Sequence, residues 1–263
     1  MNTATYAVRD SATMLRRNLR HMVRYPSQTL MLIGLPLLFL LLFVYVLGAT
    51  MGAGLPGAPA GNDAYLTFLT PGVLVMAVAS VSISTAVSVA TDMTGGIIDR
   101  FRTMPIAKVS VLTGHVLGAM VQTALALATV FGVAFLLGLE TDASVAQWPA
   151  LIGLLALLSS AMTWFTVALG LASPNPETAS NWPMIFLMLP FVGSGFVPVE
   201  TMPAGLRWFA AYQPFTPVID ALRGLLAGSP DGADVLLAVG WCGLIGLVGY
   251  LWSRRLYRTR AAG

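Results

Sequence analysis

Charge is the scarcest resource of this chain. Only 10% of its 263 residues are Asp, Glu, Lys or Arg, against 57% hydrophobic, where a soluble domain carries about 25% charged residues. A water-facing surface cannot be assembled from so few, so the composition is that of a membrane protein. Cysteine is nearly absent: Cys242 stands alone inside an apolar run, which excludes an intrachain disulfide. Histidine is limited to His21 and His115, too few for a metal-ligand cluster. The single lysine, Lys108, follows Ala107, whereas a phosphate-binding loop needs its lysine after glycine. The chain therefore has no ATP site of that type, and if it moves anything uphill the energy has to come from another chain.

What is present is apolar length. A crossing helix needs about 20 mainly apolar residues, and six segments qualify: 28–48, 65–90, 110–138, 149–172, 176–196 and 234–252. The runs are continuous rather than alternating, which favours helices over barrel strands. The first run is too long for a signal h-region despite "APA" at 58–60, so it reads as a retained span. The expected fold is an all-α integral membrane protein, one transmembrane domain over 1–263. Within the spans lie almost no ionisable groups, which argues against a proton-coupled carrier, and no ring or filter suggests a channel.

Twelve of the fourteen Lys and Arg residues fall in three places: the N-terminal tail, the stretch before the third span, and the C-terminal tail with Arg254, Arg255, Arg258 and Arg260. Basic residues are retained on the cytoplasmic side. Both termini and the 92–108 loop are thus expected there, with the chain in the cytoplasmic membrane. The net charge of +3 reads as membrane flanking, and nucleic acid is not an expected partner. Residues 10–25 predict an interfacial helix with Arg16, Arg17, Arg20 and Arg24 toward lipid phosphates and Met14, Leu15, Leu19, Met22 and Val23 toward the acyl region.

Two stretches break the apolar pattern. "TDMTGGIIDRFRTMPIAKV" inserts charge and turn residues at 91–109; as a helix it puts Ile97, Ile98, Phe101 and Met104 on one face and Asp99, Arg100, Arg102 and Thr103 on the other. The second, 197–230, is divided by Pro198, Pro203, Pro214 and Pro217 into pieces too short to cross. It predicts short re-entrant helices in the outer leaflet, with Thr216 as N-cap before Pro217, Asp220 near Arg223, and Trp208, Phe209, Tyr212 and Phe215 at the interface. Asn175 and Pro176 predict the start of the fifth span.

These motifs resemble those of the ABC-2 type exporter permeases, including the daunorubicin-resistance type. The resemblance rests on Asp92, Gly96, Ile97, Ile98, Asp99, Arg100, Phe101 and Pro105 in the insert, and on "SGFVPVETMP" followed by "QPFTPVIDALRGLLAG" near the end. It implies a transport subunit that is not itself an enzyme, paired with a second permease chain, identical or paralogous, and powered by nucleotide-binding subunits that hold ATP and Mg. It further implies that Asp92, Gly96, Ile98, Asp99, Arg100, Phe101, Arg102 and Pro105 couple to the ATPase, and that Gly195, Pro198, Glu200, Pro203, Pro214, Asp220 and Arg223 form the re-entrant segment. The expected cargo is hydrophobic or amphipathic: a drug, lipid or glycolipid. Two other classes stay open on sequence: an embedded hydrolase using Ser194 and His115, and a non-transporting membrane anchor.

Overall fold

The computed structural model describes Arg24 and residues 26–53, 61–95 and 108–259, and every regular element among them is helical. α1 (Pro26–Leu42) runs through a π-helical stretch, Phe43–Leu47, into α2 (Gly48–Gly52). α3 (Asn62–Thr94) and α4 (Lys108–Leu136) flank the insert, and α5 (Gln147–Ala172) and α6 (Pro176–Val192) follow. A 3-10 turn at Val199–Thr201 leads to the short α7 (Ala204–Tyr212) and α8 (Phe215–Leu226), and α9 (Gly232–Thr259) completes the described chain.

Five stretches are long and apolar enough to cross a membrane: Thr29–Gly52, α3, Leu112–Leu136 of α4, α5 and α9. The sequence expectation was six. α6 is the difference: Gly193 leaves helical geometry at φ −109° and ψ −161°, so the helix stops at Val192 after 17 residues, roughly 26 Å against a hydrocarbon core of about 30 Å. Its start is as expected, with the Asn175 side chain accepting the Thr178 N–H at 2.8 Å and Pro176 in the first turn. α9 outruns its expected end at 252, carrying Arg254, Arg255 and Arg258 on helix.

α3 is the central element. It packs against α1, α4, α5, α6 and α8, and 78% of its most apolar window is buried, against 17% for the windows in α1 and α9. An unbroken run from Val73 to Ala79 is in the core. Its hydroxyls are satisfied within the helix: Thr70, Ser80, Ser82 and Thr85 donate to the carbonyls four residues back at 2.7–3.1 Å. In lipid this matters, because no water is present to satisfy them.

Between apolar helices in lipid, close packing supplies the attraction that hydrophobic burial supplies in water. α9 comes so near α5 that a Cβ on Gly249 would stand 2.5 Å from the Phe165 backbone nitrogen. One residue on, Tyr250 meets Trp164 edge-on at 5.0 Å. α5 thus joins α9 to the α3 core.

Candidate functional site

Two polar sites interrupt the apolar core, one near each end of α3. The first lies in its last helical turn. Asp92, only 8% exposed, pairs with His115 of α4 at 3.1 Å between Oδ2 and Nε2. Around them Val89, Leu112, Val116, Val167, Leu171 and Tyr257 form a cluster separate from the main core, so α3, α4, α5 and α9 all converge on this point. A buried carboxylate is tolerated only with a bonded partner, and His115 supplies one. The sequence reading put Asp92 in the insert and weighed His115 as a partner for Ser194. The structure buries both and joins them across 23 residues of sequence.

α3 ends at Thr94, and the Gly95 N–H closes it on the Thr91 carbonyl at 2.9 Å. The other residues expected to couple to the ATPase, Gly96, Ile98, Asp99, Arg100, Phe101, Arg102 and Pro105, lie outside the described residues, as do Arg16, Arg17 and Arg20 of the expected interfacial helix. Arg24 is helical and exposed. On the last turns of α9, Arg254, Arg255 and Arg258 line an open groove with Leu251 and Thr259, as basic flanks of a crossing helix do.

The second site is built on Arg223 of α8. Its guanidinium donates to Asp220 at 2.5 Å, to the Ser194 carbonyl at 2.5 Å and to the Phe68 carbonyl at 3.3 Å, and stacks over the Phe68 ring at 4.0 Å. The planar fork of arginine suits such a junction, since several donors leave one rigid group. Three segments are thereby tied: α8, the turn after α6, and the N-terminal part of α3. Beside it the Tyr65 hydroxyl donates to the Phe196 carbonyl at 3.1 Å. Gly72 and Gly195 let the backbones touch: a Cβ on Gly72 would lie 2.5 Å from the Gly195 carbonyl oxygen. The Asp220 to Arg223 pairing was legible from sequence; the two backbone carbonyls were not, being 155 and 29 residues away.

Other residues of the segment serve its turns. Pro198 precedes the 3-10 turn and Pro203 precedes α7, while Arg207 donates to the Glu200 and Met202 carbonyls. The cap of α8 differs from the expectation. The helix starts at Phe215 after Pro214, and the Thr216 hydroxyl donates at 2.6 Å to the Ala210 carbonyl of α7 instead. The last carbonyls of a helix lack intrahelical donors, so this hydroxyl is drawn to the preceding helix. Gln213 completes the corner by donating to the Leu189 carbonyl at 2.9 Å. Trp208, Phe209 and Tyr212 are exposed, but Phe215 belongs to the core.

The separation of the two sites decides one alternative. His115 sits beside Asp92, whereas Ser194 sits beside Phe68, roughly 36 Å away along α3 at 1.5 Å per residue. They cannot act as a nucleophile and its base, which require hydrogen-bond reach. Among the described residues no three His, Cys, Asp or Glu side chains converge as a metal site.

Comparison with known proteins gives a consistent picture. The family model described as ABC-2 type transporter matches residues 10–227. The chain is 32% identical over 259 residues to the daunorubicin resistance ABC transporter permease protein DrrB1 of Streptomyces coeruleorubidus, covering 97% of this chain and 88% of that one. It is 22% identical over 232 residues to the probable doxorubicin resistance ABC transporter permease protein DrrC of Mycobacterium tuberculosis, covering 87% and 82% respectively.

Proposed function

We propose, since this chain belongs to the ABC-2 type transporter family and is a multi-pass membrane subunit of an ABC transporter, that it forms the conduit half of an exporter. It is not itself an enzyme. Membership implies an ATPase partner, and the finer reading is that this ATPase grips the 92–108 insert while two permease chains enclose the path between them. The cargo in this reading is an amphipathic or polyaromatic molecule taken from the cytoplasm or the inner leaflet. The drug-resistance relatives support that class, and the apolar, Met-rich helices agree with it.

One observation carries the mechanism. α3 is a single helix of 33 residues, about 50 Å long, and it ends at the insert while its outer part is tied into the Arg223 junction. Force applied to the insert by a closing motor therefore has a continuous, densely packed element along which to travel. Pro71 lies within α3 close to that junction, and proline removes a backbone hydrogen bond there, giving the rod a bending point. In this reading the sixth crossing is made by α6 together with the turn that follows it. α7 and α8 lie in the outer leaflet with Trp208, Phe209 and Tyr212 at its surface, and both termini face the cytoplasm.

The expected experimental signature is twofold. The chain should co-purify with a P-loop ATPase encoded in the same cell. Asp99→Ala or Phe101→Ala should then lower ATP-dependent export roughly tenfold, within the usual range of coupling between distant sites, while expression and basal ATP hydrolysis stay near wild type. Paired measurements of efflux and phosphate release on the same membranes read this out. Wild-type export in both variants would show that the insert is not the motor's handle. A complex that binds the ATPase but exports nothing would favour the anchor reading.

A further inference from the structure

The Asp92 and His115 pair is more than a neutralised carboxylate, and its position says why. Asp92 is two residues before the last residue of α3, Thr94, and His115 is seven residues after the first residue of α4, Lys108. The bond therefore closes a loop that contains the entire insert. At this level the two helices share an apolar cluster with Val167 and Leu171 of α5 and Tyr257 of α9. Leu112 and Val116 of α4 and Val89 of α3 already supply apolar contact at this level. Such contacts let neighbouring helices slide or rotate by small amounts, because dispersion attraction is nearly non-directional. A hydrogen bond between two buried side chains does not allow this without leaving a polar group unsatisfied.

We infer that His115 is a positioning residue for energy coupling: by bonding Asp92 it fixes the register of α3 against α4 at the root of the insert, so that the motor displaces both helices as one body. Asp92 then serves the insert from inside the protein rather than by touching the ATPase. The inference rests on the permease reading for its functional consequence, but the fastening itself is a property of this chain alone. It also explains why two ionisable groups stand in an otherwise apolar cluster. A pair of leucines would pack there without the cost of desolvation, yet would not set a register.

Two variants of His115 separate the fastening from packing. His115→Leu fills similar volume without a donor, and His115→Gln keeps an N–H able to reach the Asp92 carboxylate. The full chain, in a Cys242→Ser background with spin labels at Thr94→Cys and Lys108→Cys, is placed in lipid nanodiscs and the label separation is measured by pulsed electron resonance. A single narrow distribution is expected for wild-type His115 and for H115Q, and a broadened or shifted one for H115L. In the complex with its ATPase, H115L should retain hydrolysis but lose roughly fivefold in molecules exported per ATP, mid-range for altered coupling residues, with H115Q restoring most of it. A distribution in H115L as narrow as wild type overturns the inference, as does unchanged export per ATP. If H115L does not accumulate, Asp92→Leu with His115→Leu, which removes both polar groups, serves in its place with the same expectation. Failure of any ATPase to bind would instead strike the permease reading and leave the distance result to judge the fastening.

Discussion

Alanine at Arg223 is expected to loosen the junction of α8, α3 and the turn after α6 at a cost of about 3 kcal/mol, since removing one partner of a partly buried, multiply bonded ion pair leaves the other uncompensated. The guanidinium holds Asp220 and two backbone carbonyls at once and covers the Phe68 ring. All four contacts vanish together, and Asp220 keeps its charge in a partly buried place. The change should appear as a fall in Tm of about 10 °C for a chain of this size, followed by scanning fluorimetry in detergent. Lysine should recover less than half of the loss, because a single ammonium cannot span a carboxylate and two carbonyls in fixed directions. Removing both charges with Asp220→Leu and Arg223→Met should recover more than lysine does, as paired apolar replacements of buried ion pairs often do. A Tm for R223A within a degree of wild type would mean that the junction is incidental to the fold.

Gly72→Ala should have the second largest effect, and for a different reason. The added methyl would stand 2.5 Å from the Gly195 carbonyl oxygen and 2.8 Å from its Cα, both backbone atoms that cannot rotate away. α3 and the turn after α6 must therefore separate. Alanine would favour the helix by up to about 1 kcal/mol, while forced overpacking costs about 1–3 kcal/mol. The balance is destabilising because the separation also lengthens the Arg223 bond to the Ser194 carbonyl and the Tyr65 bond to the Phe196 carbonyl. For the same reason the G72A and R223A losses should not add, since neighbours that share partners couple. Alanine at Gly132 or Gly153, helical positions where a Cβ meets nothing within 4 Å, is the matched control and should leave Tm unchanged or raise it slightly. Thermal melts of the two single variants, the double variant and the controls decide between these outcomes.

What the sequence made legible was local. Apolar length located the spans, the Asn175 and Pro176 pair located the start of α6, and a spacing of three residues placed Asp220 beside Arg223. What it hid was non-local or competitive. Asp92 and His115 are joined across the insert, and no periodicity marks two residues 23 apart as partners. Arg223 reaches backbone carbonyls, which carry no side-chain signature at all. Thr216 had the right neighbours for a cap, but a carbonyl of the previous helix claimed its hydroxyl first. The end of α6 was misplaced because the apolar run continues beyond Gly193, and only the close approach of Gly72 and Gly195 shows why the chain must turn there. Phe215 was grouped with the interfacial aromatics by composition, yet it is on the inward face of α8.

The claim that this chain is a conduit driven from outside itself is settled by reconstituting it with and without its ATPase in sealed liposomes. Uptake of a fluorescent amphipathic drug such as doxorubicin into the vesicles is followed on addition of external Mg and ATP, which reach only the ATPases that face outward. Concentrative transport is expected only when both proteins and hydrolysable ATP are present, and it should cease with a non-hydrolysable nucleotide. Uphill transport of equal rate by the chain alone would show that the insert, α3 and the Arg223 junction belong to a different kind of machine.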